Sequence, residues 1–149
     1  MTTILENIQT RLYNINQTIT GVWSAEYFDT NMEEQAPVLV PLMGRMTRNV
    51  NNIGSEHAEE VRTWTLLLIC GAWMSTLPAV GVQKVANQIV PLVHAAYLTR
   101  PRLELNGSAL DYVKSVKVSE DSGIISFNES AAVQIPLTIT YTAPYTIGG

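Results

Sequence analysis

The chain has 149 residues, 46% of them hydrophobic and 15% charged, with a formal net charge of −4. That length suits one domain with a core of its own, and the apolar content excludes a disordered chain. The acidic balance (sequence pI about 5.1) argues against a protein that coats nucleic acid, and the charged fraction falls short of the roughly 25% usual for soluble domains. A surface so poor in charge points to contact with partners.

Residues 3–17 read as an amphipathic helix. Ile4, Ile8, Leu12 and Ile15 form its apolar stripe, and Glu6, Asn7, Gln9, Arg11 and Asn14 fill the opposite face. Thr2 or Thr3 followed by Glu6 has the pattern of a capping box. Residues 22–35 mix aromatics with acids (Trp23, Tyr27, Phe28, Glu26, Asp29, Glu33, Glu34) and are expected to be an extended connector with a hydrated acidic surface. Residues 37–50 suggest a strand in which Pro41 marks an edge or a bulge. The polar residues 49–60, centred on Gly54, are expected to form a long loop.

Residues 61–72 are the strongest strand candidate. Leu66-Leu67-Leu68-Ile69-Cys70 does not alternate, so both faces are expected to be covered, one by a helix and the other by a neighbouring subunit. Residues 63–82 carry no charge over a length that could span a bilayer, but Thr63, Thr65, Gly71, Ser75, Thr76 and Pro78 interrupt them. A buried strand, a turn and a helix start account better for the same residues. A second helix is expected over 82–99, with Val82, Val85, Ile89, Leu92, Val93 and Ala96 as its stripe and Pro91 kinking or splitting it. Residues 114–119 and 124–127 read as strands on either side of a turn at 120–123. Residues 133–141 alternate strictly, and Pro136 suggests that this strand lies at an edge. The expected fold is a single α+β domain over 1–149, a mostly antiparallel sheet with two helices packed on one face.

Candidates for chemistry are few. His57 sits among Glu56, Glu59 and Glu60 but lacks a second histidine at helical zinc spacing, so a solvated loop residue is expected; His94 reads as a core or interface histidine. Cys70, the one cysteine, lies in an apolar run and reads as an inert small hydrophobe, and no disulfide can form within the chain. Gly44-Arg45 and Gly81-Val82 lack the glycine series and lysine of a phosphate-binding loop. No catalytic residue, cofactor or metal is expected. A small enzyme or ligand-binding domain would instead need a pocket with converging polar groups. Two basic pairs, Arg45 with Arg48 and Arg100 with Arg102, are the candidate contacts across a subunit boundary, where arginine is favoured. The first residues, Met1-Thr2-Thr3-Ile4-Leu5-Glu6, show no basic region ahead of an apolar stretch, so a cytoplasmic site of synthesis is expected.

The order of these segments resembles the tail-terminator family of long-tailed bacteriophages. The likeness is carried by the helix from Ile4 to Ile15, the strand pair at 38–46 and 61–72, and Val85-Ala86-Asn87-Gln88-Ile89-Val90-Pro91-Leu92 with its internal proline. It continues through Pro101-Arg102-Leu103 to the alternating strand that ends in Thr140-Tyr141. The long 49–60 segment and the acidic connector depart from that pattern. The resemblance implies a virion protein, assembled in the host cytoplasm, that forms a hexameric ring. Such a ring would cap the tail tube, stop its polymerisation and meet the head–tail connector or neck protein, with genomic DNA passing through the lumen without specific binding. Other neck, tail-tube or baseplate adaptor proteins of phages share the pattern and are the alternative.

Overall fold

The computed structural model describes residues 3–29, 36–51, 57–72, 80–127 and 130–144. The first helix, α1 (Ile4–Asn16), begins as its sequence dictates. Thr3 Oγ1 accepts from the Glu6 amide at 3.1 Å, and Glu6 Oε1 accepts from the Thr3 amide at 3.4 Å. Ile8, Leu12 and Ile15 are buried on its inner face. Gln9, placed by periodicity on the polar face, is buried as well. Its Nε2 donates to the carbonyls of Glu26 (2.6 Å) and Pro41 (2.7 Å), while its Oε1 accepts from Trp64 Nε1 at 2.9 Å. Helical spacing records which side a residue lies on but not whether a polar partner waits there.

After α1 the chain turns at Gly21, whose φ of +87° is easy only for glycine. It then enters a two-residue strand, β1 (Trp23–Ser24), within the segment expected to be only a connector. The long strands β2 (Val38–Asn51), β3 (His57–Ala72) and β6 (Ser130–Pro144) form the body of a six-stranded sheet together with β4 (Val113–Val118) and β5 (Ile124–Phe127). The order is β1-β2-β3-β6-β4, with β5 also on β6. Every pairing is antiparallel except that of β1 with β2.

Three expectations about these strands need correction. The loop expected over 49–60 is largely strand, because Asn49 pairs with Glu60, Val50 with Glu59 and Asn51 with Ala58; polar side chains on both sides of a hairpin hide it from a search for alternation. Pro136 does not mark an edge, since β6 lies between β3 and the β4/β5 side. Its carbonyl accepts from Ser119 as the flanking chain passes from β4 towards β5, so its missing amide points at an interruption in the neighbouring strand. Finally, β4 and β5 do not fold back on each other. They lie one after the other along β6, and the hairpin is the one between β5 and β6. Pro41 behaves as expected. Its carbonyl faces α1, away from β3, so the amide it lacks falls on the open side of β2.

The central strand is covered on both faces, as expected, but by its own chain. Leu66, Leu68 and Cys70 face α1 and the second helix, α2 (Val80–Leu98), in a core shared with Val133, Ile135, Leu137, Ile139 and Tyr141 of β6. Leu67 and Ile69 face the other way and are fully buried with Val38, Val40 and Ala132. The curled sheet closes over this second cluster, bringing Phe127 of β5 within 5.8 Å, edge to face, of Phe28 beyond β1. A neighbouring subunit is therefore not needed to cover it. The 63–82 stretch is divided between β3 and the start of α2, and the turn expected between them lies outside the described residues; among the described residues no helix is long and apolar enough to cross a membrane.

Of the two outcomes expected at Pro91, a kink or a split, the split does not occur: α2 is one helix through that residue, which lies on the exposed side. Its buried stripe is Val82, Ala86, Ile89, Val93 and Tyr97, whereas Leu92 is 44% exposed. Tyr97 ties the two helices together by donating to Asn16 Oδ1 and to the Leu12 carbonyl. Replacing Gln9 by alanine removes the partner of the buried Trp64 indole, of the buried Pro41 carbonyl and of the partly buried Glu26 carbonyl. Urea unfolding of Gln9→Ala should show a loss of about 2–4 kcal/mol against about 0.5 kcal/mol for an ordinary surface change.

Candidate functional site

The same Gln9 forms the inner wall of a cleft of about 360 Å3, opened between the start of α1 and the free side of β2. It is lined by Leu5, Glu6, Tyr27, Phe28, Pro41, Leu42 and Met43 as well. Three features hold it in shape: Gln9 pins Pro41 and Glu26, Thr10 donates to Glu26 Oε1 at 2.6 Å, and Phe28 leans on Phe127. Tyr27 is 59% and Met43 52% exposed, and Phe28 is also open to solvent. So much aromatic and thioether surface around a concave site is what a protein partner's apolar side chains bury well. Its polar groups are the Tyr27 hydroxyl, Glu6, already used in the helix cap, and Gln9, whose amide is fully engaged. The cleft can take up apolar groups and has no base set beside a nucleophile.

A second polar cluster lies inside the sheet. Tyr141 donates to Glu60 Oε1 at 2.7 Å and accepts from Arg62 Nε at 3.2 Å; Arg62 Nη1 also reaches the Gly44 carbonyl at 3.0 Å. Glu60 and Tyr141 are register partners on β3 and β6, and both are buried. Burial raises the Tyr141 phenol above its ordinary value, with Arg62 partly opposing, so it remains a donor at neutral pH. Gly44 lies where the β2 register shifts. A side chain there would put Cβ 2.5 Å from the Thr63 carbonyl oxygen, and the guanidinium of Arg62 secures this bulge. These residues bind strand to strand, and periodicity could not find them because Glu60 reads as part of a polar loop.

The four arginines singled out from sequence are not brought together. Arg45 is exposed on β2, two residues beyond Met43 at the end of the cleft. Arg48 pairs through its backbone with Val61, and its side chain lies outside what is described. Arg100 and Arg102 serve their own chain. Arg100 donates to the carbonyls of Ala96 and Glu104, and Arg102 to those of Val113 and Asp111, all within 2.8–3.0 Å. With Arg11, which reaches Leu103 and Ser108, they hold the turn after α2, where Leu103 and Asn106 take positive φ.

His94 sits at the side of α2 with Nε2 3.2 Å from Asp121 Oδ2, joining the helix to the turn before β5. The backbone of His57 begins β3 instead of lying in a loop. Cys70 is buried and its thiol is pushed up to about 11 by desolvation, which keeps it protonated and inert at neutral pH. Glu33 and Glu34 lie outside the described residues. Among those described, no group of three or more His, Cys, Asp or Glu residues is placed to hold a metal ion. No protein-family model matches the chain, and no curated protein matches it.

The two kinds of arginine should separate cleanly. Arg102→Ala is expected to cost about 1–3 kcal/mol in urea unfolding, because two carbonyl contacts are lost. Arg45→Glu should change stability by less than about 0.5 kcal/mol.

Proposed function

We propose that this protein is a non-catalytic structural subunit that works by assembling with copies of itself, as a tail-terminator-like ring protein of a phage particle. The observation that carries this reading is the Tyr27–Phe28–Met43 cleft: a solvent-open, mostly apolar site on a chain with few charges. Support also comes from the element order. An amphipathic helix, two long strands, a helix with an internal proline and a final alternating strand are the segments on which the resemblance rests. The doubly buried β3 lends no support to subunit packing, because its second face is already covered.

In this role the ring would sit on the last layer of tube protein, end its growth, and offer its other face to the connector or neck protein. An acidic subunit suits a lumen that DNA must cross without sticking, since like charge denies phosphate contacts. Light scattering on the purified chain should show a closed assembly of several copies, stable to moderate dilution. A monomer that persists at high concentration, with or without tube protein, would exclude the ring. Electron microscopy of particles made without this protein separates the terminator from an adaptor: over-long tubes mark the first, normal tubes lacking heads or baseplate parts the second.

A further inference from the structure

We infer that the buried Glu60–Tyr141 pair, with Arg62 beside it, is a register lock: it selects which residues of β6 lie opposite those of β3, where the apolar pattern alone allows more than one alignment. Val133, Ile135, Leu137, Ile139 and Tyr141 of β6 belong to the helix-side core. A slip of one residue would turn all of them to the other face, and burial forbids it. A slip of two residues keeps every side chain on its own face. In the native alignment Leu66 opposes Ile135 and Trp64 opposes Leu137, while Thr63 opposes Thr138 on the other face. Moved two residues one way, Leu66 meets Leu137, Trp64 meets Ile139 and Thr63 meets Thr140. Moved the other way, the same three residues meet Val133, Ile135 and Pro136. Leu66 and Trp64 face apolar partners in every case.

The polar pair tells these alignments apart. In the native one the Tyr141 hydroxyl donates to Glu60 Oε1 at 2.7 Å and accepts from Arg62 Nε at 3.2 Å, and Glu60 is only 5% exposed. A two-residue slip sets the Glu60 carboxylate opposite Ala143 or Ile139, whose side chains cannot donate to it. Taking that donor from a buried carboxylate costs more than exchanging one apolar neighbour for another. The Lys114–Glu59 pair also spans β6, but its ammonium group is half exposed and it selects weakly. The bond from Trp64 to Gln9 fixes β3 against α1 and leaves the alignment of β6 open. That alignment reaches the cleft. β5 pairs with β6 and moves with it, so a slip of two residues would carry Phe127 about 7 Å from its place against Phe28, which lines the cleft. Glu60 and Tyr141 thereby position the cleft wall from a distance.

Cysteine pairs on the half-buried face opposite the helices read the alignment directly. Thr63→Cys with Thr138→Cys reports the native one. Thr63→Cys with Thr140→Cys, and Val61→Cys with Thr138→Cys, report slips of two residues in the two directions. Diagonal neighbours in an antiparallel pair sit about 7–8 Å apart, too far for a disulfide without movement. With Glu60 and Tyr141 in place, mild oxidation should close the first pair and neither of the others. Glu60→Met with Tyr141→Phe replaces both partners by apolar groups of similar size, so the fold should survive, as circular dichroism will verify. In that background the yield of at least one slipped pair should rise tenfold or more; unchanged yields would mean that packing sets the register and would overturn the lock. Should that variant lose its fold, Tyr141→Ala with Ala143→Tyr decides the question by moving the hydroxyl two residues along β6. The Thr63→Cys/Thr140→Cys pair should then close in place of Thr63→Cys/Thr138→Cys. Persistence of the native pair, or loss of the fold here too, would overturn the inference.

Discussion

The fold depends on one constraint, the burial of β3 on both of its faces. Leu66 to Ile69 present four large side chains in alternating directions, each stabilising the fold by about 1.5–3 kcal/mol when removed from water. One face is met by two helices, the other by the concave side of the sheet itself. The curl that makes this possible requires long strands, a register shift at Gly44 and a short β5 able to swing Phe127 towards Phe28. Two sets of polar groups trapped by this arrangement are matched. Gln9 answers the Trp64 indole and two carbonyls, and Glu60, Tyr141 and Arg62 answer each other across the strands.

Much of this is legible in the residue pattern. Thr3 with Glu6 announces the start of α1, the unbroken run from Leu66 announces a strand covered twice, and the odd positions from Val133 to Tyr141 announce β6. Other features cannot be read because they depend on partners distant in sequence. Gln9 is polar in any window of the chain and becomes a core residue only when Trp64 and Pro41 arrive. Pro91 and Pro136 are tolerated because one lies on the exposed side of its helix and the other faces a gap in the flanking strand. The covering of Leu67 and Ile69 by the chain itself follows from the curl of the sheet, which a one-dimensional pattern does not encode.

The same asymmetry governs the candidate site. Arg100 and Arg102, which read as interface residues in the sequence, donate to carbonyls around the turn after α2. Much of the exposed apolar surface is aromatic and aliphatic. Tyr27, Phe28 and Met43 lie apart in the chain and meet at the cleft beside α1. A subunit whose core is complete on its own and whose outside carries separate apolar surfaces is suited to assembly from preformed parts, with little rearrangement on association.

Amide hydrogen exchange across a dilution series tests that self-sufficiency. If β3 is covered by its own chain, the amides of residues 66–69 and their partners at 132–135 will be among the slowest to exchange, and their protection will not change as assemblies dissociate. Protection that vanishes from 67 and 69 on dilution would mean that a second copy completes the core, contradicting the closed fold described above.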